Sequence, residues 1–176
     1  MKWTITLVSI VALALLVSFT GCQQPQPAQP AALTAEDVAA IGKTIDTAIE
    51  SYAAKDIDRH MSFAAADAVS LEYDKRYQGA AEIREKHIKP EMAEMTVITY
   101  KAADRVVRGH GGLAYVAERN SIEFKDKDGK TFSTDSAWAS YVLEKQPDGA
   151  WKCKLAHWSG PMNWLANKPE KAAAKK

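Results

Sequence analysis

Four histidines, His60, His87, His110 and His157, are the side chains of this 176-residue chain best suited to proton transfer near neutral pH or to metal ligation. They are scattered, and none is read as paired with a cysteine or a carboxylate at ligand spacing, so neither a metal nor another cofactor is expected. No serine stands in a Gly-x-Ser-x-Gly elbow. Gly109-His110-Gly111-Gly112 follows no strand-to-helix phosphate-binding pattern and reads as a turn. Of the two thiols, Cys153 sits in an alternating apolar context and is expected to be a small core residue rather than a nucleophile.

His157 is singled out by its strand. Trp151, Cys153, Leu155 and His157 alternate with Lys152, Lys154 and Ala156, so the first set is expected indoors and the lysines in water. Ser159 follows on the face of His157, and Trp158 is expected to point outward or into a partner. An interior imidazole must be hydrogen-bonded or border a cavity, because an unpaired buried polar group costs roughly 1–3 kcal/mol.

The residues that would position these groups begin after an unusual N-terminus. Met1-Lys2 precedes Trp3 to Phe19, seventeen residues without a charge. This is the layout of a secretory signal, slightly short for a spanning helix of about 20 apolar residues. The junction Phe19-Thr20-Gly21-Cys22 resembles the bacterial lipoprotein signal, which implies cleavage before Cys22 and a diacylglyceryl thioether on it. A membrane anchor through lipid on Cys22 is therefore expected, in the bacterial envelope. By the same resemblance, Gln23 favours the outer membrane, facing the periplasm. Gln23 to Ala32, with three prolines and four glutamines, reads as an extended tether. Only Lys2 of the 23 basic residues precedes Cys22, leaving 22 against 22 acidic ones. That balance argues against a nucleic-acid partner, which needs a basic face to displace counterions.

The folded part starts on Thr34 and Asp37, spaced as a capping box. Val38, Ile41, Ile45, Ile49 and Tyr52 then form one apolar stripe on a helix of about five turns ending near Lys55. A shorter helix is expected over 57–65, a β-like stretch over 68–73, and a third helix over 80–89 stopped or bent by Pro90. From Met95 onward strands are expected at about 95–107, 113–125, 131–145 and 150–159, divided by glycine-containing turns. Helices followed by an antiparallel meander make an α+β domain. The boundaries read as signal 1–21, lipidated Cys and tether 22–33, domain 34–165, and a basic, solvated tail 166–176.

The order of these pieces carries a resemblance. A long helix, a short one ending in Ala64-Ala65-Ala66-Asp67-Ala68-Val69, a start at Gly79-Ala80-Ala81-Glu82-Ile83, and a meander closing on Asp148-Gly149-Ala150-Trp151 and His157-Trp158-Ser159 resemble the SnoaL-like, ketosteroid-isomerase-like branch of the nuclear transport factor 2-like superfamily. The resemblance covers about 34–160. It implies a curved sheet wrapped on the long helix as a cone, an apolar pocket for a small, largely apolar molecule, and a homodimer through the sheet's outer face. Trp158 and Tyr141 are the aromatics expected at that dimer face. Carried over position by position, the pocket residues are His157, Trp138, Ser140 and Asp67, joined by Tyr52 and Tyr77. For ketosteroid-type isomerisation the nominees are Asp67 or Glu118 as base and Tyr52 or Tyr77 as hydroxyl donor. For a dehydratase the arrangement would be His157 with Asp67. A protein-interaction module with a vestigial pocket is the third reading. The face of 113–125 that points inward stays open at this level.

Overall fold

The computed structural model describes residues 30–160. Residues 1–29 and 161–176 lie outside the described part, and with them the expected signal segment, Cys22, most of the expected tether and the basic tail. Helix α1 (Ala35–Ala53) begins as the sequence requires. The Thr34 hydroxyl accepts from the Asp37 amide at 3.0 Å, and the Thr34 amide donates to the Asp37 carboxylate at 3.2 Å. That carboxylate also takes the Lys145 ammonium at 2.7 Å. The Lys145 contact, then the bonds that the Thr34 hydroxyl and amide donate to the carboxylate, hold its pKa down at about 2.

Helix α2 (Ile57–Met61) is shorter than expected, because the chain turns early into strand β1 (Ala64–Glu72). β1 is claimed from its first residue by parallel pairing, Ala64 with Cys153, and the Cys153 amide donates to the Phe63 carbonyl at 2.9 Å. A short antiparallel edge strand, β2 (Lys75–Gln78), follows. The next helical segment does not end at Pro90. It runs as α3 (Ala80–Glu82), a π-helical stretch Ile83–Ile88, and α4 (Lys89–Glu94). Proline lacks an amide hydrogen and crowds the carbonyl four residues back. The wider π turn ahead of Pro90 accommodates both effects, and the helix continues.

Strands β3 (Met95–His110), β4 (Leu113–Asp126), β5 (Thr131–Lys145) and β6 (Trp151–Ser159) form the expected meander. The sheet order is β2-β1-β6-β5-β4-β3, antiparallel except where β1 lies parallel to β6. At the β3–β4 turn a Cβ on Gly109 would fall 2.2 Å from the Leu113 carbonyl oxygen, so only glycine fits there. The helix α1 stripe closes one face: Ile41 and Ile45 pack with Ala114, Val116, Ala139, Tyr141, Leu143, Trp151 and Cys153. Burial pushes the Cys153 thiol up to about 12, in keeping with a core residue.

Register shifts decide which side chains meet that helix. In β6, Cys153 lies opposite Leu143 but Leu155 lies opposite Val142, so Lys154 is an extra residue. A bulge of this kind inverts the inside–outside alternation beyond it. This corrects the reading of β6: His157 is exposed, and Trp158 is half-buried against the core. Tyr141 is likewise buried under α1, so neither expected dimer-face aromatic lies on the outer face. A second bulge falls between Ala103 and Val106 of β3, where Asp104 takes a positive φ of 53°.

Candidate functional site

On β4 the even residues Ala114, Val116, Glu118, Asn120, Ile122 and Phe124 are all buried, which settles its inward face. Two of the six are polar, and both Glu118 and Asn120 have no exposed surface. The bulge at Asp104 delivers Arg105 to Glu118: its Nε donates to Oε2 at 2.6 Å. The same guanidinium donates through Nη2 to Asp46 at 2.7 Å and through Nη1 to the Gly42 carbonyl at 3.4 Å, both on α1. Glu118 Oε1 and both polar atoms of the Asn120 amide find no hydrogen-bond partner among the described residues. Nearby, the Tyr100 oxygen accepts from the Tyr141 hydroxyl and the Trp158 indole. Burial, opposed by that indole bond and reinforced by the Glu118 charge, pushes Tyr100 up to about 12. Burial, then the neighbouring Tyr100 and the Glu118 charge, raise Tyr141 well above the usual phenol value.

Strand register links this group to a second one. Glu118 pairs with Ala139, Ala139 with Trp158, and Trp158 with Glu72, so these four form one row across β4, β5, β6 and β1. At Glu72 the row meets the helical segment. His87 Nε2 lies 2.8 Å from Glu72 Oε2 and 3.5 Å from Glu91 Oε2, and its Nδ1 lies 3.4 Å from the Ser70 hydroxyl. The Tyr77 ring stacks on His87 at 4.7 Å between centroids and 11° between planes. Burial opposes the charged imidazole, but the Glu72 hydrogen bond and the charges of Glu91 and Glu72 prevail over it and over Lys75, so the pKa rises above the ordinary imidazole value. The Tyr52 hydroxyl donates to Glu91, and burial followed by the Glu91 charge lifts it well above the usual phenol value. His60 meets Tyr52 edge-on and faces the Ala48 carbonyl at 2.9 Å; burial lowers it. Glu72, His87 and Glu91 are the described side chains whose donor atoms, all within 4.8 Å of one another, could hold a metal ion.

Of the six residues proposed from sequence, Tyr52 and Tyr77 come together at this second group. The other four do not join them. Trp138, Ser140 and His157 are exposed on the opposite face of the sheet, where Val106, Ala117, Ser140 and His157 form an outer row. Asp67 is exposed on β1, beside Ala66 in a bulge, and pairs with Lys154 of the β6 bulge, which with a bond to its own backbone lowers its pKa. The arrangement of His157 with Asp67 therefore does not exist. Glu118, nominated as a base, is inside.

Sequence reasoning gave no place in the site to Ser70, Glu72, His87, Glu91, Tyr100, Arg105 and Asn120. Two signals were available. His87 and Glu91 are one helical turn apart, hidden by ending the helix before Pro90; this corrects the reading that no histidine has a carboxylate at ligand spacing. Glu118 and Asn120 share parity with Val116, Ile122 and Phe124, the more apolar face of β4.

Comparison with known proteins agrees with this architecture. The SnoaL-like domain family matches residues 41–163. Similar solved structures include a candidate ketosteroid isomerase from Shewanella frigidimarina, with TM-score 0.61 and 22% identity over 68% of this chain and 94% of that one. A nuclear transport factor 2-like superfamily protein from Salmonella enterica serovar Typhimurium gives TM-score 0.63 and 18% identity over 77% and 94%. A candidate dehydratase of the same fold from Streptomyces avermitilis gives TM-score 0.62 and 18% identity over 73% and 99%. At these identities the likeness shows the fold. A search of curated protein sequences finds no significant match.

The Arg105 contacts generate a stability prediction. Arg105→Ala leaves Glu118 buried without its cation, a loss of about 3–5 kcal/mol. Urea unfolding should show it, and the double variant Arg105→Leu/Glu118→Leu should recover part of the loss. A double variant as unstable as the sum of the singles would refute the pairing.

Proposed function

The chain belongs to the SnoaL-like domain family, with a nuclear transport factor 2-like fold, and from that premise we propose that its interior binds a small, largely apolar molecule carrying a polar group. The observation that carries this reading is the fully buried Asn120 amide, whose donor and acceptor are both unpartnered among the described residues, next to the free Oε1 of Glu118. A buried amide without partners costs stability, and a ligand that bonds it both recovers that cost and gains orientation. Apolar surface for the rest of the molecule comes from Ile122, Phe124, Tyr100 and Trp158. Turnover is the second reading, favoured by a carboxylate beside a hydrogen-bonded phenol pair, Glu118 with Tyr100 and Tyr141. That is the equipment with which enolate chemistry is stabilised. The isomerase and dehydratase names of the two structural neighbours point the same way.

Attachment to the membrane through lipid on Cys22 and an envelope location remain part of the proposal, supported by the sequence at Phe19-Thr20-Gly21-Cys22. Among the described residues no helix is long and apolar enough to cross a membrane. Homodimerisation through the outer face of the sheet is supported by a different set of residues from those first expected. Trp138, Tyr115 and Val106 are large apolar side chains that stand 49%, 55% and 43% exposed there.

Three outcomes are expected. Asn120→Leu should hold or raise the thermal midpoint, since it replaces an unpartnered polar group by an apolar one of similar size, while abolishing retention of the small molecule that native mass spectrometry is expected to detect on the parent. A destabilised variant that retains the molecule would sink the binding reading. Trp138→Glu should convert dimer to monomer in light scattering without changing the circular dichroism; a parent already monomeric at tens of micromolar removes the dimer. Cys22→Ser should leave unprocessed precursor or move the protein out of the detergent phase, and unchanged processing and partition would refute lipidation.

A further inference from the structure

We infer that Glu72, His87 and Glu91 form a binding site for a first-row divalent transition cation. Three elements bring the donors together: the end of β1, the π-helical stretch and α4. His87 Nε2 is 2.8 Å from Glu72 Oε2 and 3.5 Å from Glu91 Oε2, and all three donor atoms fall within 4.8 Å. Such ions bind nitrogen and oxygen at about 2.0–2.2 Å, which sets neighbouring donors roughly 3 to 3.5 Å apart. The triangle therefore needs only side-chain adjustment to close on an ion.

The surroundings match what ligands require beyond their donor atoms. A ligating imidazole is oriented by a partner on its other nitrogen. Here Nδ1 faces the buried Ser70 hydroxyl at 3.4 Å, and the Tyr77 ring fixes the imidazole plane. Ligating carboxylates are themselves hydrogen-bonded, and Glu91 accepts from Tyr52. The side chains of His87, Glu72 and Glu91 are only 10%, 18% and 21% exposed. Two carboxylates so far withdrawn from water need positive charge beside them. Two carboxylate oxygens and one imidazole nitrogen suit manganese, iron or zinc better than magnesium or calcium, which prefer oxygen alone, or soft ions, which prefer thiolate. With three protein ligands, at least one coordination position is left for water or for an oxygen of a bound molecule.

The inference is independent of whether the interior retains a molecule at Asn120, and the test separates the two. The full chain, treated with chelator and exchanged into clean buffer, is titrated with manganese chloride and followed by the loss of the free-ion electron paramagnetic resonance signal. Manganese avoids adventitious zinc binding by His60, His110, His157 or an unmodified Cys22. One ion per chain is expected to bind saturably, competed by zinc but not by equimolar magnesium. Glu91→Gln, which preserves the acceptor for Tyr52, should weaken binding at least tenfold, and Tyr52→Phe, which touches only the outer shell, by about tenfold. Asn120→Leu should leave the titration unchanged. Absence of saturable binding in the parent overturns the site, as does unchanged affinity in Glu91→Gln with parental circular dichroism. If Glu91→Gln does not fold, unchanged affinity in Tyr52→Phe overturns it.

Discussion

A fully buried carboxylate in the middle of β4 sets the terms for the rest of this domain. Glu118 cannot be left alone there, since an uncompensated charge out of water costs several kcal/mol. The guanidinium that answers it belongs to Arg105, which reaches inward because the β3 bulge at Asp104 breaks the strand's alternation. The same planar fork spans Asp46 and the Gly42 carbonyl. One side chain thereby ties β3, β4 and helix α1 together. Gly42 suits that approach: the nearest atom to a Cβ built there is Arg105 Nη1, at 3.5 Å. A hydrophobic trio of the same volume would serve stability as well or better. What the ion pair adds is a defined orientation of helix on sheet and a polar floor beside Asn120.

From that floor the sheet distributes chemistry by row. The row Glu118, Ala139, Trp158 and Glu72 crosses the inner face over four strands, and neighbouring strands are about 4.8 Å apart. The two polar groups are thus separate but share one wall, bridged by the Trp158 indole and by Tyr100, whose phenol also bears on Tyr52. Behind it runs the outer row of Val106, Ala117, Ser140 and His157. A one-residue change in β6 register would exchange Trp158 and His157 between the two rows. The bulge at Lys154 is therefore as much a functional element as any side chain. It is braced by the ion pair to Asp67 of the facing β1 bulge, which explains that carboxylate's place without giving it a part in chemistry.

The π-helical stretch plays a comparable part on the helical side. An α-helix stopped at Pro90 would have lost Glu91 to a loop. Continuing past the proline keeps His87 and Glu91 on adjacent turns and aims both at Glu72. The proline is thus a reason for the local geometry rather than an end to it.

Much of the architecture follows from local patterning. The capping box and apolar stripe of α1, the four long strands and their turns, and the α+β order are periodicities of two and 3.6 residues, written in the chain and read without knowing the fold. The burial of Cys153 and the absence of a catalytic serine motif are local in the same sense. What local pattern cannot carry is any feature that depends on an extra residue in one strand relative to its partner. The Lys154 bulge exists because β1 and β5 pair with β6 in registers that differ on its two sides, and it sent His157 to the outer face and Trp158 to the inner one. Likewise Glu72, fifteen residues before His87, becomes its nearest carboxylate only when β1 lies beside β6 beneath the helical segment. Tertiary structure decided the site because side-chain direction alternates with every residue, so one inserted position, fixed by pairing partners far away in sequence, inverts all that follows.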